Sequence, residues 1–149
     1  MAEIGFYHLT RTGLERALPR LLARTLEAKE RAFVLCGEAE RIGAVSAALW
    51  GAEAAWLPHN AGPDDDPPLQ PIWLGVEDAP PPNGARYLFL VAGAESGRLD
   101  AFARVFDLFD GRDEAAVAAA RQRWTAAKAA GHALTYWKQT ERGGWEKAG

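Results

Sequence analysis

Short apolar runs alternate with helical patterns in the first fifty residues, and this alternation restricts the fold more than any other feature. The segment Ile4–Leu9 (IGFYHL) is rich in β-branched and aromatic residues, and Ala32–Cys36 (AFVLC) is apolar throughout, as is typical of a strand buried on both faces. Leucines at spacings of three and four predict a helix over 13–29, and a second helical pattern covers 38–50. A β-α-β-α order favours a mostly parallel sheet with right-handed crossovers.

The remainder of the chain extends this pattern. Tyr87–Ala92 (YLFLVA) is the strongest strand pattern, and shorter ones cover 72–76, 105–109 and 134–138. Residues 113–130 predict an alanine-rich helix that ends before Gly131. We therefore predict one domain over 1–149, with five or more mostly parallel strands, helices on both faces of the sheet and a loose tail over 140–149.

Charge is distributed unevenly along the chain. The net charge is −3, yet residues 115–140 contain no acidic residue, only the cations Arg121, Arg123, Lys128 and Lys138. An acidic body with one basic surface favours a specific anionic partner over duplex nucleic acid, which typically binds domains with a pI above about 9. A single cysteine and the lack of a long apolar segment predict a cytoplasmic protein that does not enter membranes.

The motifs of common α/β enzymes are absent from the sequence. It contains no GxxxxGK[ST], no GxGxxG after the first strand and no GxSxG, so we predict no catalytic residue, no cofactor and no metal. One alternative is a small α/β enzyme that acts on an anionic substrate through Cys36 or His59. We interpret Cys36 as a buried core residue and His59 as the wall of a pocket.

The last helix carries the most informative pattern. Val117, Arg121, Trp124 and Lys128 are spaced by four, three and four residues, which places them on one helical face. An indole between two cations suits a ligand with a hydrophobic end and a carboxylate, such as a peptide that ends in a hydrophobic residue. The alternative is that Trp124 belongs to the core and the charges only border it.

Four segments together resemble the chi subunit of bacterial DNA polymerase III, the HolC family. They are FYHL (6–9), ALW (48–50), WLPHN (56–60) and ARQRWTAAKAAGH (120–132), the last of which leads into TYW. The resemblance covers most of the chain, although Thr125 stands where related proteins carry a lysine. It implies a three-layer α/β/α sandwich with a mostly parallel sheet, similar to a nucleotide-binding core without a P-loop.

The resemblance also implies a function and a site. Members of the family are non-catalytic accessory subunits that link the clamp-loader complex, usually through a psi subunit, to the acidic C-terminal tail of single-stranded DNA-binding protein (SSB). This tail ends in proline and phenylalanine after aspartates, and no sequence-specific contact with nucleic acid is implied. We expect the segment 50–60 to lie beside the last helix, with Lys128 and Arg123 attracting the aspartates of the tail. The residues carried over to the tail site are Trp50, Trp56, Pro58, His59, Val117, Arg121 and Trp124.

Overall fold

The computed structural model describes residues 2–52, 57–59, 70–142 and 144–148. Seven β-strands and three α-helices are found within these ranges. The strands are β1 (Glu3–Leu9), β2 (Ala32–Cys36), β3 (Ile72–Gly75), β4 (Tyr87–Val91), β5 (Arg104–Asp110), β6 (Ala133–Gln139) and β7 (Trp145–Lys147). The α-helices are α1 (Leu14–Glu27), α2 (Ile42–Trp50) and α3 (Glu114–Ala129).

All the strands belong to one sheet, in the order β3-β2-β4-β5-β1-β6-β7. Every neighbouring pair is parallel except β6 and β7. The predicted mostly parallel sheet is therefore confirmed. The continuous apolar run of β2 is buried at all five positions, because β2 lies between β3 and β4 and is covered on both faces.

Helices cover both faces of the sheet. Leu22 of α1 and Leu49 of α2 pack into one buried cluster, which includes Phe89 of β4. Ala120 of α3 packs into a second cluster with Phe6 of β1. Alternate residues of each strand enter opposite clusters, so the two clusters lie on opposite faces and the fold is a three-layer α/β/α sandwich, as expected.

The end of the chain differs from the prediction. Residues 140–149 were expected to form a loose tail, but β7 pairs antiparallel with β6, and Gln139 lies opposite Trp145. The indole of Trp145 and the Tyr7 ring are in edge-to-face contact, with the ring centroids 5.0 Å apart. An aromatic side chain packed on the core anchors this short strand, so the prediction of a loose tail is wrong for residues 145–147.

Both ends of α3 are fixed by local structure. The carboxylate of Asp113 accepts hydrogen bonds from the backbone N–H groups of Ala115 and Ala116, at 2.9 and 3.3 Å. Gly131 follows the helix with a φ of +85°, a left-handed conformation that glycine adopts without strain. The buried alanines Ala120 and Ala127 let α3 approach the sheet closely. These features hold the predicted binding face of α3 in one orientation.

The side chain of Gln139 fills the loop between β1 and α1. The Oε1 atom of Gln139 accepts hydrogen bonds from the N–H groups of Thr10, Arg11 and Thr12, at 3.2, 2.8 and 3.0 Å. In nucleotide-binding α/β proteins the corresponding backbone N–H groups bind phosphate. Here a buried amide from the end of β6 satisfies them.

Candidate functional site

An open hollow of about 400 Å³ lies between α3 and the part of the sheet formed by β5, β1 and β6. This volume is in the range of small-molecule binding pockets, about 300–1,000 Å³. We call it the α3 hollow. Its lining residues are Phe6, Phe109, Val117, Ala120, Arg121, Trp124, Tyr136 and Ala148.

Strand register assembles the aromatic wall of the α3 hollow. Phe6 of β1 lies opposite Tyr136 of β6, and Phe109 of β5 lies opposite His8, two residues further along β1. Trp124 of α3 meets the rings of Phe6 and Tyr136 in edge-to-face contacts, with ring centroids 5.2 and 5.9 Å apart. Trp124 is partly buried. It therefore packs on the core and lines the hollow at the same time.

The cations on this face of α3 are available to a ligand. Arg121 lines the α3 hollow and is exposed, and it forms no salt bridge with any residue that the structure describes. Lys128, one helical turn beyond Trp124, is also exposed and free of salt bridges within the described ranges. An unpaired guanidinium beside an apolar hollow suits a carboxylate, which arginine binds through two parallel hydrogen bonds.

Arg123 has a different role from the one expected. Its Nε and Nη2 atoms donate to the carboxylate of Asp107 at 2.7 and 2.9 Å. Asp107 is 2% exposed, and burial raises the pKa of its carboxyl group, while the hydrogen bonds from Arg123 act in the opposite direction. The expectation that Arg123 attracts aspartates of a ligand is wrong, because its charge is already paired inside the protein.

The structure does not bring residues 50–52 and 57–59 to the α3 hollow. His59 pairs with Ile72 at the start of β3, and Trp50 packs against the His59 ring in a tilted arrangement, with the ring centroids 4.2 Å apart. Trp50 belongs to α2, on the sheet face opposite to α3. Strand β3 is also four strand spacings from β1, about 19 Å.

The residues expected to form one site are therefore divided between two surfaces. Val117, Arg121 and Trp124 line the α3 hollow, with Lys128 near them on the same helix. Trp50, Pro58 and His59 lie at the β3 side of the molecule, next to α2. Trp56 lies outside the described residues.

The side chain of His59 is buried and joins the segment 57–59 to α2. Its side chain is 3% exposed, with Nδ1 hydrogen-bonded to the carbonyl oxygen of Leu57 and Nε2 to the hydroxyl of Ser46, both at 2.8 Å. These contacts attach the segment 57–59 to α2. The imidazole is thus enclosed by its own hydrogen-bond partners.

Cys36 is buried at the end of β2 and its thiol donates to the carbonyl oxygen of Glu38. His59 and Ala32 both pair with Ile72 of β3, so they lie at the same level of the sheet. Cys36 is four residues beyond Ala32 on β2, which is about 13 Å further along the strand direction. The enzyme hypothesis needs an exposed cysteine beside a histidine, whereas the binding hypothesis tolerates a buried one. Within the described ranges, no group of three His, Cys, Asp or Glu side chains is arranged to hold a metal ion.

Five of the residues that line the α3 hollow were absent from the expected site: Phe6, Phe109, Ala120, Tyr136 and Ala148. Phe109 and Tyr136 line it, and His8 is hydrogen-bonded to Tyr136. Period-two alternation was the available signal, since it places Phe6 and His8 on one face of β1, but the alignment of β5 and β6 with β1 cannot be read from the sequence.

The described residues form an α/β domain with an aromatic hollow beside α3, and Arg121 at this hollow has no salt-bridge partner among them. The family model described as DNA polymerase III chi subunit, HolC, matches residues 1–135 of the 149. The chain therefore belongs to the chi subunit (HolC) family of DNA polymerase III, and this membership supports an accessory role in DNA replication. Comparison with curated proteins finds no significant match to the chain. None of the helices described is long and apolar enough to span a bilayer.

Proposed function

We propose that the chain links the clamp-loader complex of the polymerase to SSB by binding the acidic C-terminal tail of SSB in the α3 hollow. The observation that carries this proposal is the exposed Arg121, which has no salt bridge within the described ranges, at an aromatic hollow that Trp124 helps to line. A peptide that ends in phenylalanine has both a ring for the hollow and a carboxylate for the guanidinium.

The terminal phenylalanine of the tail fits the aromatic wall. Phe6, Phe109 and Trp124 line the hollow, and aromatic pairs gain from edge-to-face contact in addition to buried area. With the ring in the hollow, the terminal carboxylate pairs with Arg121. The aspartates that precede it then run toward Lys128, which is exposed on the same helix.

A linking subunit needs a second surface that stays accessible while the tail is bound. Trp50 is 49% exposed and lies on the opposite face of the sheet from the α3 hollow. An exposed indole supported by the buried His59 suits a protein contact. We assign this surface to a psi subunit or another clamp-loader subunit, with Pro58 beside His59 as part of the contact.

The proposal is tested with a synthetic tail peptide, in which several aspartates are followed by a C-terminal Pro-Phe. A fluorescently labelled tail peptide should bind the chain, and the same peptide without its final phenylalanine should bind at least tenfold more weakly, because it loses the ring that fills the hollow. Equal affinity for the two peptides would show that the hollow does not bind the end of the tail.

A further inference from the structure

A histidine and a tyrosine are hydrogen-bonded at the border of the α3 hollow. The Nδ1 atom of His8 is bonded to the hydroxyl of Tyr136, which itself lines the hollow together with Arg121. The His8 ring also packs against Phe109, with the ring centroids 5.1 Å apart. His8 and Tyr136 thus join the hollow to the carboxyl end of β1.

The backbone after β5 fixes the position of the His8 ring. A Cβ atom at Gly111 would lie 2.0 Å from Cδ2 and Nε2 of His8, so only glycine leaves room for the ring. The backbone of Gly111, which lies next to the ring, favours the protonated form of His8. Nε2 is the ring nitrogen that faces Gly111, and we assign the hydrogen of neutral His8 to it, so that Nδ1 accepts from the hydroxyl of Tyr136.

Several charged groups surround His8. Lys138 of β6 and Arg121 of α3 repel a positive charge on the ring, whereas Asp110 of β5 attracts one. Burial is the largest effect and, with the two cations, lowers the pKa of His8 below its usual value. In the free protein at pH 7 His8 is therefore neutral, and the hydroxyl hydrogen of Tyr136 is directed to Nδ1 and away from the hollow.

We propose that Tyr136 is a second contact for the ligand carboxylate and that His8 is its positioning residue. This inference rests on the proposed function. When His8 takes up one proton from solvent, Nδ1–H donates to the oxygen of Tyr136, and the hydroxyl hydrogen turns into the hollow. Tyr136 then donates to the carboxylate held by Arg121. The new Nδ1–H bond of His8 is the only covalent change, so the protein takes up one proton when it binds the carboxylate.

The coupling predicts that acid strengthens binding. A carboxylate that binds better to the protonated protein raises the pKa of His8 in the complex, and each unit of this increase allows at most a tenfold gain in affinity. We expect the affinity for the tail peptide to rise about threefold to tenfold between pH 7.5 and pH 5.5. Free aspartates titrate near pH 3.9, below this range.

Two variants and one modified peptide test the coupling. Dissociation constants of the tail peptide are measured at pH 5.5, 6.5 and 7.5 for the parent, Tyr136→Phe and His8→Leu. Tyr136→Phe keeps the ring that contacts Trp124 and removes only the hydroxyl, so its affinity should not vary with pH. The same peptide with a C-terminal amide retains its aspartates and should also show no pH dependence.

An NMR titration of the His8 imidazole gives an independent readout, even if His8→Leu fails to fold. Saturating tail peptide should raise the pKa of His8 in the parent and leave it unchanged in Tyr136→Phe. An unchanged pKa in the parent, or full pH dependence in Tyr136→Phe, would overturn the inference. Absence of binding at every pH would instead contradict the proposed function, whereas binding that is independent of pH would contradict only the role of His8 and Tyr136.

Discussion

Arg121 and Arg123 are two residues apart on α3, yet their side chains lie on opposite sides of the helix. Arg121 lines the α3 hollow without a salt bridge among the described residues, whereas Arg123 is held by the buried Asp107. Two residues correspond to about 200° of helical rotation, which accounts for the difference. One arginine is available to a ligand and the other stabilises the fold.

Replacement of Arg123 should therefore destabilise the protein. Arg123→Ala leaves the Asp107 carboxylate buried without its partner, and loss of one member of a buried pair costs about 3–5 kcal/mol in the free energy of unfolding. Arg121→Ala is the matched control, because its side chain is exposed, and it should change the free energy of unfolding by less than about 0.5 kcal/mol. Urea unfolding of both variants checks the prediction, and equal destabilisation would contradict it.

Loss of the Gln139 side chain should weaken the attachment of the β1–α1 loop. In Gln139→Ala three N–H groups lose their common acceptor, so we expect about 1–3 kcal/mol of destabilisation. Gln139→Glu retains an oxygen acceptor and should lose less. Thermal melting compares the two, and faster amide hydrogen exchange at Thr10, Arg11 and Thr12 in Gln139→Ala would locate the effect. A parental melting temperature for Gln139→Ala would contradict this role.

Stability should fall in acid through His8. Its pKa is lowered in the folded state, so the unfolded chain binds more protons as the pH falls below about 6.5, and the free energy of unfolding decreases. The decrease in melting temperature between pH 7 and pH 5 should be smaller for His8→Leu than for the parent. Identical decreases would show that His8 is not the group responsible.

Salt should weaken binding of the tail peptide. Lys128 is exposed, so its attraction for the aspartates is screened as the Debye length falls from about 10 Å at 0.1 M salt to about 3 Å at 1 M. The dissociation constant should rise over this range, and rise less for Lys128→Ala. A constant affinity for the parent would mean that this face does not bind the aspartates.

Much of the fold could be predicted because local patterns determine it. The continuous apolar run of β2 is the observed strand residue for residue, and Asp113 and Gly131 mark the ends of α3. Trp145 shows the limit of this reasoning. Three residues carry too little periodicity to predict a strand, and β7 depends on a contact with Tyr7 from the other end of the chain.

The candidate site was predicted only in part, for a related reason. Helical spacing placed Val117, Arg121 and Trp124 together, and they do share the α3 hollow. Trp50 is separated from this group because of the order of the strands in the sheet and because α2 and α3 cover opposite faces of it. Neither the strand order nor the face that a helix covers is a local property of the sequence. The sequence also suggested that Arg123 attracts the aspartates of the tail, because its partner Asp107 lies on another element and no local pattern pairs the two.

The most direct test compares two variants in one titration of the labelled tail peptide. Arg121→Ala should weaken binding about tenfold to a hundredfold, because it removes a charge-assisted hydrogen bond of about 1.5–3 kcal/mol. Trp50→Ala should bind as tightly as the parent, since Trp50 lies on the opposite face of the sheet. Arg20→Ala, an exposed arginine of α1, controls for the loss of one positive charge. If Trp50→Ala abolished binding while folded Arg121→Ala bound normally, the tail would not bind in the α3 hollow.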